Sequence, residues 1–242
     1  MIGRRPSGSS DPYALRRNLN GIIQIIWQNN FDLKLDILIS KLINHWHKQF
    51  NSLNINPQKI LDDLIEFSRQ RIISHLEESS YDKEIISSTC ESENISHLNI
   101  LNIADLKNRI EAIQKFKSGN NSSSLINIIS RYSKLANKGN LGKNIYACKD
   151  KINIKLFEKK SEKDVYKFLQ SLENLVNTSD WKYNQLINLF EENIQVLIEI
   201  FDSQNGVMVM TEDLDLRKNR LNLLAIVRNY SLLLADFTLL NF

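Results

Sequence analysis

The chain has 242 residues, of which 42% are hydrophobic and 24% are charged, and its net charge is +3. These values are ordinary for a soluble globular protein with enough residues for a buried core. No apolar run approaches the roughly 18–20 residues that a membrane span requires, and residues 1–10 lack the apolar stretch of a secretory signal.

The first predicted helix begins near residue 12. Asp11 is a favourable N-cap, and Pro12 suits a first helical position because its missing N–H would be unpaired there in any case. The apolar residues that follow recur at spacings of three and four, which predicts one apolar face: Leu15, Leu19, Ile22, Ile23 and Ile26. Asn56 and Pro57 repeat the same start signature ahead of another helical pattern.

Helical periodicity continues to the end of the sequence. Further helices are predicted over 81–91, 103–117, 123–138, 161–177, 181–201 and 212–237. Glycine, asparagine and serine are concentrated in 118–124 and 137–144, which are predicted to be loops. No alternating strand pattern of useful length occurs, so the predicted fold class is all-α. A shift in composition near residue 100 divides a flexible segment (1–10) and a helical region (11–100) from a helical bundle (101–242).

The sequence contains no recognisable catalytic or metal site. His45 and His47 are two residues apart and therefore lie on different faces of a helix, unlike the pair of a helical zinc site. There is no glycine-rich phosphate loop and no nucleophile elbow. Cys90 and Cys148 match no metal or redox spacing, which favours a reducing, cytoplasmic compartment and two unreactive thiols. We expect no catalytic residue and no metal ligand.

Positive charge is concentrated in residues 107–160, which we call the basic block. It contains 13 Lys and Arg against 3 Asp and Glu, a net charge of +10. The flanking segments are acidic, with 4 against 10 in residues 56–106 and 7 against 12 in residues 161–242. Such asymmetry is typical of a protein with a polyanionic partner.

The basic block contains one helix with an ordered arrangement of charge. In the predicted helix 123–138, Arg131, Lys134 and Lys138 fall within a sector of about 60°, opposite the apolar face that includes Tyr132. We call these three residues the basic ridge. A ridge of this kind could follow a phosphate backbone and release counterions from it. Other cations of the block that could contact nucleic acid precede the ridge: Lys107, Arg109, Lys115 and Lys117.

The charge pattern leaves two alternatives to nucleic-acid binding open for the basic block. A solvated helix face, or a helical scaffold that contacts an acidic protein partner, would show the same charges. Phe116, Tyr146 and Phe157 could stack on unpaired RNA bases, but the pattern does not assign their faces. Tyr132 belongs to the apolar face and is predicted to be a core residue.

Two segments carry a more specific resemblance. Residues 6–26, PSGSSDPYALRRNLNGIIQII, and residues 207–240, VMVMTEDLDLRKNRLNLLAIVRNYSLLLADFTLL, closely resemble segments of the bacterial glycyl-tRNA synthetase β subunit. Residues 124–137 and 156–169 also resemble it, more loosely. The order and spacing of these segments are similar to those of the C-terminal third of that subunit, so the resemblance covers essentially the whole chain.

The resemblance implies a division of labour between subunits. It implies an α2β2 heterotetramer in which the α subunit activates glycine with ATP and Mg, and a β subunit that binds glycine tRNA. Residues 11–100 would then be a helical linker region and residues 101–242 an anticodon-binding domain of the DALR type. This part of the β subunit would hold no cofactor and no catalytic residue.

The sequence also departs from the family pattern. Tyr13, Asn20 and Gln24 stand where phenylalanine, leucine and arginine are expected, and FDSQNG at 201–206 is longer than the expected link. Met1 and Ile2 are expected to mark a truncated start. On the first helix, Arg16 flanks the apolar face and is predicted to be structural, whereas Arg17 points outward and is a further candidate for RNA contact.

Overall fold

The computed structural model describes residues 11, 13–49, 56–119, 121–202 and 204–240, without the side chains of His97 and Leu98. Within these residues the structure contains ten α-helices and no strand, apart from one isolated antiparallel bridge between Lys34 and Asn102. The predicted all-α fold class is therefore confirmed. The predicted flexible segment 1–10 lies outside the described residues. Among those described, no helix combines the length and the apolar character needed to cross a membrane.

The helices follow the sequence periodicity closely. The α-helices are α1 (Leu15–Asn29), α2 (Leu35–Gln49), α3 (Pro57–Glu78), α4 (Lys83–Ile86), α5 (Ile103–Lys117), α6 (Ser122–Ala136), α7 (Lys160–Val176), α8 (Tyr183–Glu192), α9 (Ile194–Glu199) and α10 (Leu214–Leu232). A π-helical turn (Ser87–Glu91) continues α4, and short 3-10 turns lie at His97–Leu101, Ile154–Leu156 and Phe237–Leu239.

Several helix boundaries differ from prediction: the predicted helix 212–237 ends at Leu232, and the predicted helix 81–91 is α-helical only over Lys83–Ile86. Two further differences have a clear local cause. The first helix begins at Leu15 and not at Pro12, because Ala14 adopts a left-handed conformation with φ of 54°. Asp11 still caps the helix: its carboxylate accepts the backbone N–H groups of Leu15 at 2.8 Å and Arg16 at 3.2 Å. Pro12 itself lies outside the described residues. The predicted helix 181–201 is split at Asn193, whose backbone is not helical and whose side-chain amide donates to the Leu189 carbonyl at 2.8 Å.

The chain forms two compact units, Met1–Glu111 (the first unit) and Ala112–Phe242 (the second unit). The division falls within α5, C-terminal to the boundary predicted at residue 100. The roles predicted for the two parts, a linker and an anticodon-binding domain, stay predictions.

The first unit is organised around α3. Asn56 caps this helix, as predicted, by accepting the backbone N–H groups of Gln58 at 3.0 Å and Lys59 at 3.2 Å. Helices α1 and α2 pack on α3, which buries Ile72 and Leu76 completely. Burying such side chains stabilises the fold by about 1.5–3 kcal/mol each.

The second unit is built around α10. Fourteen of its nineteen residues are buried, which makes it a core helix and not an amphipathic surface helix. Asp213 caps it by accepting the backbone N–H groups of Asp215 and Leu216, both at 2.9 Å. Helices α6 and α7 pack against α10, and the Phe237–Leu239 turn is tied to α6 by a 2.7 Å hydrogen bond from the Ser130 hydroxyl to the Phe237 carbonyl.

A buried ion pair joins α10 to the start of α7. Arg220 is 4% exposed, and its Nε donates to Oε1 of the fully buried Glu162 at 3.0 Å. The other nitrogens of this guanidinium donate to Oε2 of Glu158 at 2.7 Å and to the Met208 carbonyl at 3.1 Å. The second carboxylate oxygen of Glu162 accepts the backbone N–H groups of Glu158 and Lys159. One arginine therefore connects three separate segments of the second unit.

We expect Arg220→Ala to destabilise the chain by about 3–5 kcal/mol, because it leaves the Glu162 carboxylate buried without its cation. Urea unfolding followed by circular dichroism measures the change. Lys167→Ala is the matched control: Lys167 pairs with Asp164 at 3.4 Å on the surface, and we expect its loss to change stability by about 0.5 kcal/mol or less. Equal effects of the two substitutions would contradict the structural role of Arg220.

The two cysteines are buried, Cys90 in the first unit and Cys148 in the second. Burial raises the pKa of the Cys148 thiol to about 12, and the negative charge of Glu173 acts in the same direction. Burial also raises the pKa of Cys90. Both thiols therefore stay protonated at neutral pH. Because the thiolate is the reactive form of cysteine, both side chains should be unreactive in the folded chain.

We expect Cys148 in the folded chain to resist a disulfide reagent at pH 8 and to react rapidly once the chain is unfolded in urea. A Cys90→Ser variant isolates the Cys148 signal. Because the thiol pKa is higher in the folded state, the stability that this group contributes is complete below the unfolded pKa of about 8.5 and declines as the pH rises towards about 12. Labelling of the folded chain at the rate of the unfolded chain would contradict this expectation.

Candidate nucleic-acid interface

Helix α6 presents one buried face and one charged face. Leu125, Ile129 and Tyr132 are buried, and the Tyr132 hydroxyl donates to the Leu197 carbonyl at 3.1 Å. Tyr132 is therefore the core residue that the sequence predicts. On the other side Arg131 and Lys134 are exposed. The helix thus separates an apolar stripe from a basic one.

The three members of the basic ridge have different surroundings. The Arg131 guanidinium lies over the Phe201 ring, 4.1 Å from its centroid, and this cation–π contact orients the charge. Lys134 and Lys138 are exposed, and neither forms an ion pair with any residue that the structure describes. Lys138 follows the end of α6, in a turn where its backbone N–H donates to the Leu135 carbonyl at 2.9 Å. The two lysines are therefore available to an anionic ligand.

The remaining predicted RNA contacts divide between the two units. Lys115 is exposed and Lys117 partly exposed at the end of α5, and both belong to the second unit with the ridge. Arg17 is exposed on the first turn of α1 in the first unit, as its position on the helical wheel predicts, and Arg16 is partly buried. The exposure of Lys115, Lys117 and Arg17 is compatible with RNA contact, and these three residues stay predicted contacts.

Lys107 and Arg109 make internal contacts within the first unit. The Lys107 ammonium donates to the Trp27 carbonyl at 3.0 Å and lies 5.7 Å from the centre of the Trp27 ring. Arg109 is 2% exposed, and its guanidinium approaches the Thr89 carbonyl at 3.4 Å. Lys107 is partly buried and Arg109 is buried. Charge counting along the sequence could not distinguish these internally bound cations from free surface ones, and we remove both from the predicted RNA surface.

The three aromatic residues considered for base stacking already pack on other rings. Phe116 is 5% exposed and lies 6.2 Å from the Phe237 ring. Tyr146 is partly buried 5.3 Å from Tyr230, and Phe157 lies 5.8 Å from Tyr166. Phe116 is buried in the core of the second unit, so base stacking on it is excluded in this conformation, whereas Tyr146 and Phe157 are partly exposed.

The second unit contains an open groove that the sequence does not predict. It has a volume of about 970 Å³ and is bordered by the loop after α6, the loop before the Ile154–Leu156 turn and the first half of α10. Four cations and two carboxylates line it: Lys138, Lys151, Arg217, Lys218, Asp150 and Asp215. The groove therefore shares Lys138 with the basic ridge and extends the positive surface towards α10.

Amide side chains of α10 hold one wall of this groove. Asn219 pairs with the backbone of Asn153 through two hydrogen bonds, accepting its N–H at 2.7 Å and donating to its carbonyl at 3.1 Å. Asn222 donates to the Lys151 carbonyl at 2.8 Å. Because α10 is part of the core, these bonds fix the loop that carries Asp150 and Lys151.

Buried polar groups further along α10 hold the loop after α6, which also lines the groove. Arg228 donates to the Leu141 carbonyl at 3.1 Å, and Asn229 donates to the Gly142 carbonyl at 2.8 Å. Gly139 lies so close to α10 that a Cβ there would be 3.2 Å from the Leu221 Cβ. The loop 137–144 is therefore attached to the core despite its glycine-rich composition.

Within the described residues, no three histidine, cysteine, aspartate or glutamate side chains come together in a way that could hold a metal ion. The exposed charged features described for the second unit are therefore the cationic surface and the groove.

Comparison with known proteins gives this surface a biochemical context. The sequence profile of the family described as Glycyl-tRNA synthetase beta subunit matches residues 1–91. The glycine–tRNA ligase beta subunit of Acaryochloris marina is 32% identical over 241 residues, covering 98% of this chain and 33% of that protein. The beta subunit of Trichodesmium erythraeum is 30% identical, and the match covers 98% of this chain and 33% of that protein. The beta subunit of Buchnera aphidicola is also 30% identical, and the match covers 99% of this chain and 32% of that protein.

The chain therefore resembles glycyl-tRNA synthetase β subunits, which are subunits of an aminoacyl-tRNA synthetase, over nearly its whole length. It spans about a third of the length of the curated relatives that it matches.

Proposed function

We propose that this chain is the tRNA-binding part of a glycyl-tRNA synthetase β subunit and that its second unit binds the anticodon arm of glycine tRNA. In this proposal the chain supports glycine–tRNA ligation by an α2β2 enzyme whose α subunit activates glycine with ATP and Mg. The proposal rests on Lys134 and Lys138, which are exposed and have no acidic partner among the described residues. The opposite face of the same helix is apolar and buried in the core of the second unit.

The loops after α6 extend this surface. Lys143, Lys149, Lys151 and Lys155 are all exposed, and residues 137–155 include a single acidic residue, Asp150. Clustered lysines bind RNA through phosphates, and each phosphate contact releases condensed counterions. Such contacts position the RNA, whereas base recognition requires groups that reach base edges. The cationic surface therefore accounts for affinity and orientation.

The resemblance to this family supports tRNA as the RNA. The relatives are named for glycine–tRNA ligation, and the resemblance of residues 207–240 to the C-terminal end of the β subunit favours the anticodon arm over other parts of tRNA. Binding there would orient the acceptor end towards the α subunit, so cognate contacts would contribute to specificity through kcat/KM.

The alternative of a helical protein-contact scaffold is favoured by an observation in the first unit. Large apolar side chains of α1, of α2 and of the connection between them are exposed, among them Ile25 at 54% and Phe31 at 52%. Exposed apolar side chains grouped in this way are typical of protein contact. We propose that the first unit contacts protein, either the rest of the β subunit or the α subunit, while the second unit binds RNA.

The ridge is tested by Lys134→Glu with Lys138→Glu, which spares Arg131 and its contact with Phe201. If both lysines contact phosphates, the variant should bind glycine tRNA about tenfold more weakly. The negative slope of log affinity against log salt should become shallower by about 1.4–1.8, because two phosphate contacts are lost. Fluorescence anisotropy at several salt concentrations measures both quantities.

The matched control is Lys163→Glu with Lys182→Glu, two exposed lysines of the second unit that lie outside the basic block. It changes the net charge equally and should leave the salt slope within experimental error. If the ridge variant keeps the affinity and slope of the unmodified chain, or if both variants lose equally, the ridge is not the RNA surface.

A further inference from the structure

We propose that the groove beside α10 receives unstacked anticodon nucleotides and that Asp150 and Asp215 recognise cytosine there. This inference rests on the proposed function and names the base-reading site for it. The volume of about 970 Å³ lies at the upper end of the roughly 300–1,000 Å³ typical of ligand sites, so the groove has room for a nucleotide.

The chemistry of the lining suits a nucleotide. Lys138, Lys151 and Lys218 are exposed cations that can contact phosphates along the groove. Ile152 and Leu214 add apolar surface against which a base or a ribose can pack. An acidic peptide would use the cations alone and would be repelled by the two carboxylates. Single-stranded RNA uses all three kinds of group, because bases and riboses also donate hydrogen bonds.

The two carboxylates give the groove its selectivity. Asp150 and Asp215 are exposed, and neither side chain has a hydrogen-bond or ion-pair partner among the described residues. An ionised carboxylate only accepts hydrogen bonds. The cytosine amino group donates one and therefore suits aspartate, whereas uracil presents a carbonyl oxygen at the same position and is repelled. Every glycine codon begins with two guanines, so a glycine anticodon ends in two cytosines.

The groove is prepared for this task before the ligand binds. Asn219 and Asn222 fix the loop that carries Asp150, and Asp215 lies in the first turn of α10, one of the most buried helices of the second unit. Asp150 adopts a left-handed backbone with φ of 61°, a conformation that aspartate and asparagine tolerate better than most residues. A site held in this way loses little conformational entropy on binding.

The test titrates the 242-residue chain with an anticodon stem-loop RNA of glycine tRNA and with the same RNA carrying uridine in place of the two cytosines. The unmodified chain should bind the cytosine RNA at least about tenfold more tightly. In the variant Asp150→Asn with Asp215→Asn, amides both donate and accept, so the preference should fall to about twofold or less. Asparagine also keeps the left-handed backbone at position 150.

Two further variants separate base reading from phosphate binding and from general charge effects. Lys151→Ala with Lys218→Ala should weaken binding of both RNAs equally and reduce the salt slope. Asp180→Asn with Glu192→Gln, which changes exposed acids of the second unit outside the groove, should leave the preference unchanged.

The outcomes distinguish this inference from the proposed function. If the unmodified chain binds the stem-loop and prefers cytosine but Asp150→Asn with Asp215→Asn keeps that preference, the groove does not read the bases and RNA binding by the second unit still stands. If the chain binds both RNAs equally, the cytosine assignment is overturned. If it does not bind the stem-loop at all, the proposed function fails and this inference fails with it.

Discussion

The ion pair between Arg220 and Glu162 is the contact on which the second unit depends. Both side chains are buried, so neither charge can be hydrated, and each needs the other. The same guanidinium contacts Glu158 and the Met208 carbonyl, while Glu162 caps the chain entering α7. A single arginine of α10 therefore sets the positions of α7 and of the segment before α10. The core helix is located by specific polar contacts as well as by apolar packing.

The same helix connects the core to the surface that we propose binds RNA. Its apolar residues form the core, and its buried asparagines and Arg228 hold the loops on either side of the groove. The exposed lysines, by contrast, are carried by α6, by the loops and, for Lys218, by the exposed side of α10, where charge costs little to hydrate. This arrangement separates the groups that hold the structure from those available to a ligand. Ridge substitutions should therefore change binding without unfolding the chain.

The sequence predicts local structure well because helix periodicity and capping are local. The apolar face of α6 and the core position of Tyr132 follow from spacing, and the Asn56 cap follows from the residue types at 56 and 57. Where tertiary contacts decide the outcome, sequence reasoning failed. Lys107 and Arg109 are in a basic segment but make internal contacts. The groove brings together loops whose hydrogen bonds to α10 join residues 66 to 87 positions apart in the sequence. The polar residues of α10 could have indicated that loops pack against this helix, since asparagines and arginines inside a buried helix require hydrogen-bond partners.

Hydroxyl-radical footprinting of glycine tRNA bound to this chain shows whether the second unit contacts the anticodon arm, as we propose. Riboses that the bound protein covers are protected from cleavage. We expect protection to be concentrated in the anticodon loop and the adjoining stem, and to be lost in the variant Lys134→Glu with Lys138→Glu. Protection confined to the acceptor stem, or an unchanged footprint with that variant, would contradict this proposal.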